Sequence, residues 1–246
     1  MSNSLSQTPT LKYFIGLSFF AIFLVWVLSI YPPLTRENFA WRKPLIGSTY
    51  SLICLLGITA VFFPNQCSQA LSLSTRGKGK RSAVKGAVLH GASPNTKGHH
   101  PDCESFSSHV FELGNRTFCT ACAGLLTVGL ASIVGTALFF FEGLNVENSG
   151  SLLVWLGLLG VGAGLFQYKA RKAAIRFSLN MFFVLGTSFV LMGIDKVAQN
   201  VFADMFLVLL ALFWLYTRIL ISQWDHTRIC SRCNVGDCEF GDCHKD

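Results

Sequence analysis

Apolar residues fall in six long runs, at roughly 13–31, 45–63, 124–141, 151–167, 177–194 and 201–221, separated by short polar stretches and one long one. A helix that crosses the hydrocarbon layer needs about 20 predominantly apolar residues, and these runs meet or nearly meet that length. Their serial arrangement rules out one water-soluble core and predicts an all-α integral membrane protein with six transmembrane helices. The chain then divides into helices one and two (1–63), a loop (64–123), helices three to six (124–221) and a cysteine-rich tail (222–246). The first run follows Lys12 and is succeeded by Tyr31-Pro32-Pro33, with no small-x-small site behind it, so an uncleaved helix is expected rather than a signal peptide.

Charge placement predicts the orientation. The second loop carries Arg76, Lys78, Lys80, Arg81, Lys85, Lys97 and Arg116, and the loop after span four carries Lys169, Arg171, Lys172 and Arg176. Both belong on the cytoplasmic side of a cell membrane, whereas the 142–150 loop, with Glu142 and Glu147, suits the opposite side. Six spans then place both termini in the cytoplasm. Arg36, Arg42 and Lys43 in the 32–44 loop argue the other way, and the stronger later loops decide. The net charge of +7 sits beside spans, where anionic headgroups account for it. No basic stripe is interleaved with stacking aromatics, so no nucleic-acid partner is expected. The expected partners are the lipid bilayer and other membrane or cytoplasmic protein subunits.

Glycine and phenylalanine, 22 of each, fit a bundle in lipid, since small residues let helices approach and large aromatics face acyl chains. Gly157, Gly160, Gly162 and Gly164 make span four the most closely packed candidate. The interior otherwise reads as poor in ionisable groups. Asp204 lies about one turn inside span six, Asp195-Lys196 is read as the short loop before it, and Asn180 and Gln167 sit near span ends. The charged residues are expected at the interface rather than on an ion pathway, and Asn180 and Gln167 are expected to snorkel or hydrogen-bond locally.

Candidate chemistry lies outside the spans. The second loop reads His99-His100-Pro101-Asp102-Cys103 and, further on, Cys119-Thr120-Ala121-Cys122. Phe106, His109, Phe111 and Leu113 alternate before Gly114-Asn115, and Thr117 and Phe118 start a return strand, the pattern of a β-hairpin. Such a hairpin would bring Cys103 near Cys119. Thiolates and imidazole at this spacing suit tetrahedral zinc, with Cys119, Cys122 and Cys103 as ligands and His99 or His100 as the fourth. A redox dithiol is the competing reading of Cys119-x-x-Cys122. Glu104, Glu112 and His109 read as solvated hairpin residues.

The tail carries Cys230, Cys233, Cys238 and Cys243, with Gly236 and Gly241 between them. Four thiols at these gaps suit a second zinc or an iron–sulfur cluster, and a reducing cytoplasm disfavours structural disulfides. His226 and His244 are secondary candidates. Loop and tail are expected on the same side, where they could share one site.

The stretch from His100-Pro101-Asp102-Cys103 through Cys119-Thr120-Ala121-Cys122-Ala123-Gly124 resembles a family of polytopic membrane proteins in which a cysteine/histidine loop precedes Cys-x-x-Cys-x-Gly at the start of a transmembrane helix. The resemblance covers about 99–140. It implies a cytoplasmic Cys/His loop on a multi-pass bundle and brings no activity with it.

No His-Glu-x-x-His helix, Walker loop, dinucleotide glycine loop or Ser-x-x-x-Lys pair is present, so no catalytic residues are assigned. The expected function is that of a non-catalytic membrane subunit or partner-docking protein with one or two structural zinc ions. A redox or metal-handling protein with an iron–sulfur or exchangeable metal site is the alternative, and a membrane-embedded enzyme or transporter a further one.

Overall fold

The computed structural model describes residues 2–37, 39–62, 96–97, 100–101, 104–113, 116–143 and 149–230. Six α-helices follow in order: α1 (Ser2–Ile30), α2 (Arg42–Phe62), α3 (Thr120–Phe140), α4 (Gly150–Leu165), α5 (Ala173–Ala198) and α6 (Val201–Cys230). Five are long and apolar enough to cross a membrane, while α4 is a shorter apolar helix of 16 residues. At about 1.5 Å per residue it falls short of a hydrocarbon layer of about 30 Å. Large apolar side chains such as Leu52, Leu56, Leu130, Leu159 and Leu209 point outward from the bundle, which is the surface a lipid bilayer solvates.

Successive helices run in alternate directions, and α5 packs against α3, α4 and α6. The α4–α5 pair is closest, because glycines remove the side chains that would hold the backbones apart. A β-carbon on Gly157 would stand 2.6 Å from the Gly186 carbonyl oxygen, and one on Gly160 would stand 2.5 Å from that of Phe182. The glycine-rich fourth span is therefore a packing surface, as its sequence suggested.

Between α2 and α3 the described chain forms two small antiparallel ladders. Strands β1 (Thr96–Lys97) and β2 (His100–Pro101) pair with each other. A 3-10 turn, Glu104–His109, leads into β3 (Val110–Leu113), which pairs with β4 (Arg116–Cys119). Val110 lies opposite Cys119, and α3 begins at the next residue.

The α5–α6 reversal takes two residues. Gln199 adopts the left-handed conformation at φ 48°, and its N–H donates to the Asp195 carbonyl. Asn200 Oδ1 then accepts from the N–H groups of Phe202 and Ala203, capping α6.

Two boundaries differ from the hydropathy reading. Asp195 and Lys196 belong to α5, since the helix continues to Ala198. Helix α6 runs beyond the apolar window to Cys230, because Asp225 and the residues around it have partners on the hairpin and α5.

Candidate functional site

Both ends of the bundle are closed by buried charges. At the end where α2 starts and α5 meets α6, Arg42, Asp195 and Asp204 converge. Their exposures are 4%, 1% and 0%. Arg42 Nη1 donates to Asp204 Oδ2 and lies 2.7 Å from Asp195 Oδ1. Thr35 and Glu37, ahead of α2, are bonded to the neighbouring α5–α6 reversal. The Glu37 N–H donates to the Gln199 carbonyl at 2.8 Å, Glu37 Oε2 accepts from the Val201 N–H, and Asn200 Nδ2 donates to the Thr35 carbonyl.

At the opposite end, Asp225 of α6 is the hub. Its Oδ2 accepts from Nη1 and Nη2 of Arg176, both at 3.2 Å, and its Oδ1 accepts from Arg228 Nη2 at 3.2 Å. His109, 3% exposed, brings its Nε2 to 3.7 Å from Asp225 Oδ2. Its ring centroid is 5.0 Å from that of His226. The His226 Nδ1–H donates to the Ser222 carbonyl at 2.7 Å, which in the neutral ring leaves the lone pair on Nε2. Nearby, Arg218 Nη2 donates to Gln167 Oε1 at 2.6 Å and its guanidinium lies over the Phe183 ring.

One expectation is corrected here: His109 is buried rather than solvated, because the 3-10 turn directs it at Asp225. Arg42, Arg176, Arg218, Asp195, Asp204 and Asp225 are all buried near the two ends of the bundle. Ion pairs hold Arg42 with Asp195 and Asp204, and Arg176 with Asp225, while Arg218 is bonded to the neutral Gln167. Asn180 Nδ2 donates to the Arg176 carbonyl one turn back, the local bond expected of it.

Of the candidate metal ligands, Cys119 is the buried last residue of β4 and Cys122 is half-buried in the first turn of α3. Cys119 is extended at φ −69° and ψ 125°, and its side chain makes no capping hydrogen bond to α3. His100 lies on β2, and Cys230 ends α6. His99, Cys103, Cys233, Cys238, Cys243 and His244 lie outside the described residues. Among the described residues, no three His, Cys, Asp or Glu side chains are arranged to hold a metal ion. The start of the tail and the hairpin are brought to one end by His109, Asp225 and His226.

Sequence reasoning missed the two charge clusters. Their signal was opposite charges near the ends of different spans: Arg42 against Asp195 and Asp204, and Arg176 against Asp225.

The chain matches no family model, no curated protein and no solved structure in comparisons with each.

Proposed function

We propose that this is a multi-pass membrane protein in which the 99–122 loop and the 230–243 tail form a single zinc-bound cap on the hairpin end of the bundle, acting as a non-catalytic subunit or docking platform. One observation carries the reading: the hairpin is seated on α6 one turn before Cys230, through His109, Asp225 and His226. Cys119 and Cys122 fit such a role. An extended residue followed by a helix start presents both thiols near one helix N-terminus, where thiolate is favoured. A ring that donates Nδ1–H to a backbone carbonyl is the usual arrangement of a metal-binding histidine, which makes His226 a further candidate ligand.

The cap belongs in the cytoplasm in this reading. Arg42, which seemed to oppose that orientation, is buried against two aspartates and so loses weight as a topological charge.

Anaerobic elemental analysis with an absorption spectrum tests the proposal on purified wild-type, Cys119→Ser, Cys122→Ser and Cys233→Ser protein. The expected result is zinc without visible absorption, lost from loop and tail variants alike. Full metal retention in both Cys119→Ser and Cys122→Ser would overturn the cap. Iron with broad visible absorption would replace it with the redox reading.

A further inference from the structure

The far end of the bundle carries charges that do not balance. Two carboxylates, Asp195 and Asp204, meet one guanidinium, Arg42, with all three withdrawn from solvent. Asp204 Oδ1 and both oxygens of Asp195 have no hydrogen-bond donor among the described residues, the Arg42 contact to Asp195 being close but not directed along an N–H. A single nitrogen, Arg42 Nη1, touches one oxygen of each, so the two carboxyl groups face one another across it.

The neighbouring charges are Lys43 of α2 and Lys196 of α5, whose ammonium groups stand over the Phe139 ring of α3 at 5.4 and 5.9 Å, and Glu37, which caps α6. Two ionised carboxylates held together in a low dielectric repel strongly, and such pairs resolve the conflict by keeping one proton. That proton also brings a donor to a cluster in which three carboxyl oxygens lack one. A metal ion fits less well, because the position between the acids is taken by Arg42 Nη1, which would repel it.

Buried hydroxyls also lie between α2, α3 and α5. Thr136 is fully buried with no hydrogen-bond partner among the described residues. One turn further, Ser132 accepts from Ser188 at 3.1 Å, and the Tyr50 hydroxyl lies 2.7 Å from Thr187 Oγ1 and 3.0 Å from Ser188 Oγ.

We propose that Asp195 and Asp204 form a proton-binding site, sharing one proton at neutral pH over Arg42. The shared proton joins the last turn of α5 to the first turn of α6. Its release leaves a second negative charge in a dry site and loosens that joint, so proton occupancy and the α5–α6 geometry are coupled. This site is independent of the zinc cap and stands or falls separately.

Infrared spectroscopy of the full chain in lipid vesicles, with and without carboxyl-¹³C aspartate, tests it. At neutral pH the expected result is a protonated-carboxyl C=O band that shifts with the label and disappears in both Asp195→Asn and Asp204→Asn, where the remaining acid pairs with Arg42 and ionises. No label-sensitive band in wild-type protein, or persistence of the band in either variant, would overturn the site. So would a band that appears only when sodium is replaced by choline, since sodium would then be the occupant. Should the variants not fold, the wild-type measurement decides: a band at neutral pH in sodium upholds the site, and its absence there overturns it.

Discussion

The two ends of the bundle use the same residue types in opposite proportion. At the α5–α6 turn one arginine serves two aspartates, while under the hairpin one aspartate serves Arg176, Arg228 and His109. The difference matters because the surplus charge has a different escape at each end. A carboxylate can take up a proton, whereas an arginine cannot lose one at any ordinary pH. The first cluster is therefore suited to exchanging a proton, and the second to tying α5 to α6 by the fixed charge of arginine.

Removing each hub gives the sharpest contrast. Asp225→Ala leaves Arg176 buried without its counter-charge, and a loss of about 3–5 kcal/mol is expected, with the hairpin released from α6. Thermal unfolding in detergent, with limited proteolysis at 104–113, measures both effects, and an unchanged midpoint would show that Asp225 is not a hub. Arg42→Met should cost somewhat less, about 2–4 kcal/mol at neutral pH, because the aspartates it abandons can be neutralised. The sign follows from that: protonation removes the stranded charges, so the deficit of Arg42→Met relative to wild type narrows as pH falls. A deficit that stays constant with pH would count against the proposed proton site.

Smaller effects test contacts around the two clusters. Asn200→Ala removes the α6 cap and the bond to Thr35, for an expected loss of about 1 kcal/mol. Arg228→Ala should cost less than about 1 kcal/mol, since its side chain is 42% exposed and the pair is partly solvated. A larger loss from Arg228→Ala than from Asn200→Ala would reverse the ranking.

Much of this architecture was legible in the chain. The fourth span's glycines pointed to the α4–α5 contact, and the alternation before Gly114-Asn115 pointed to the β3–β4 pairing that the backbone adopts. The charge clusters were not legible. Asp195 looked like a loop residue because it lies so near the end of its apolar run, and Arg42 looked like a topological charge because nothing local competes for it. His109 was read as surface because its partners, Asp225 and His226, lie more than a hundred positions away on α6, outside any local pattern.

The sequence by itself determined the number and order of the apolar helices, five of them long enough to cross a membrane, and the spacing of the candidate thiol ligands. These are local properties: hydropathy sums over about 20 neighbouring residues, and ligand spacing is read within a short segment. Tertiary structure alone decided which charges are buried and with whom. Arg42 and Asp204 are 162 positions apart, and a pair at that distance exists only once helices from different parts of the chain have packed.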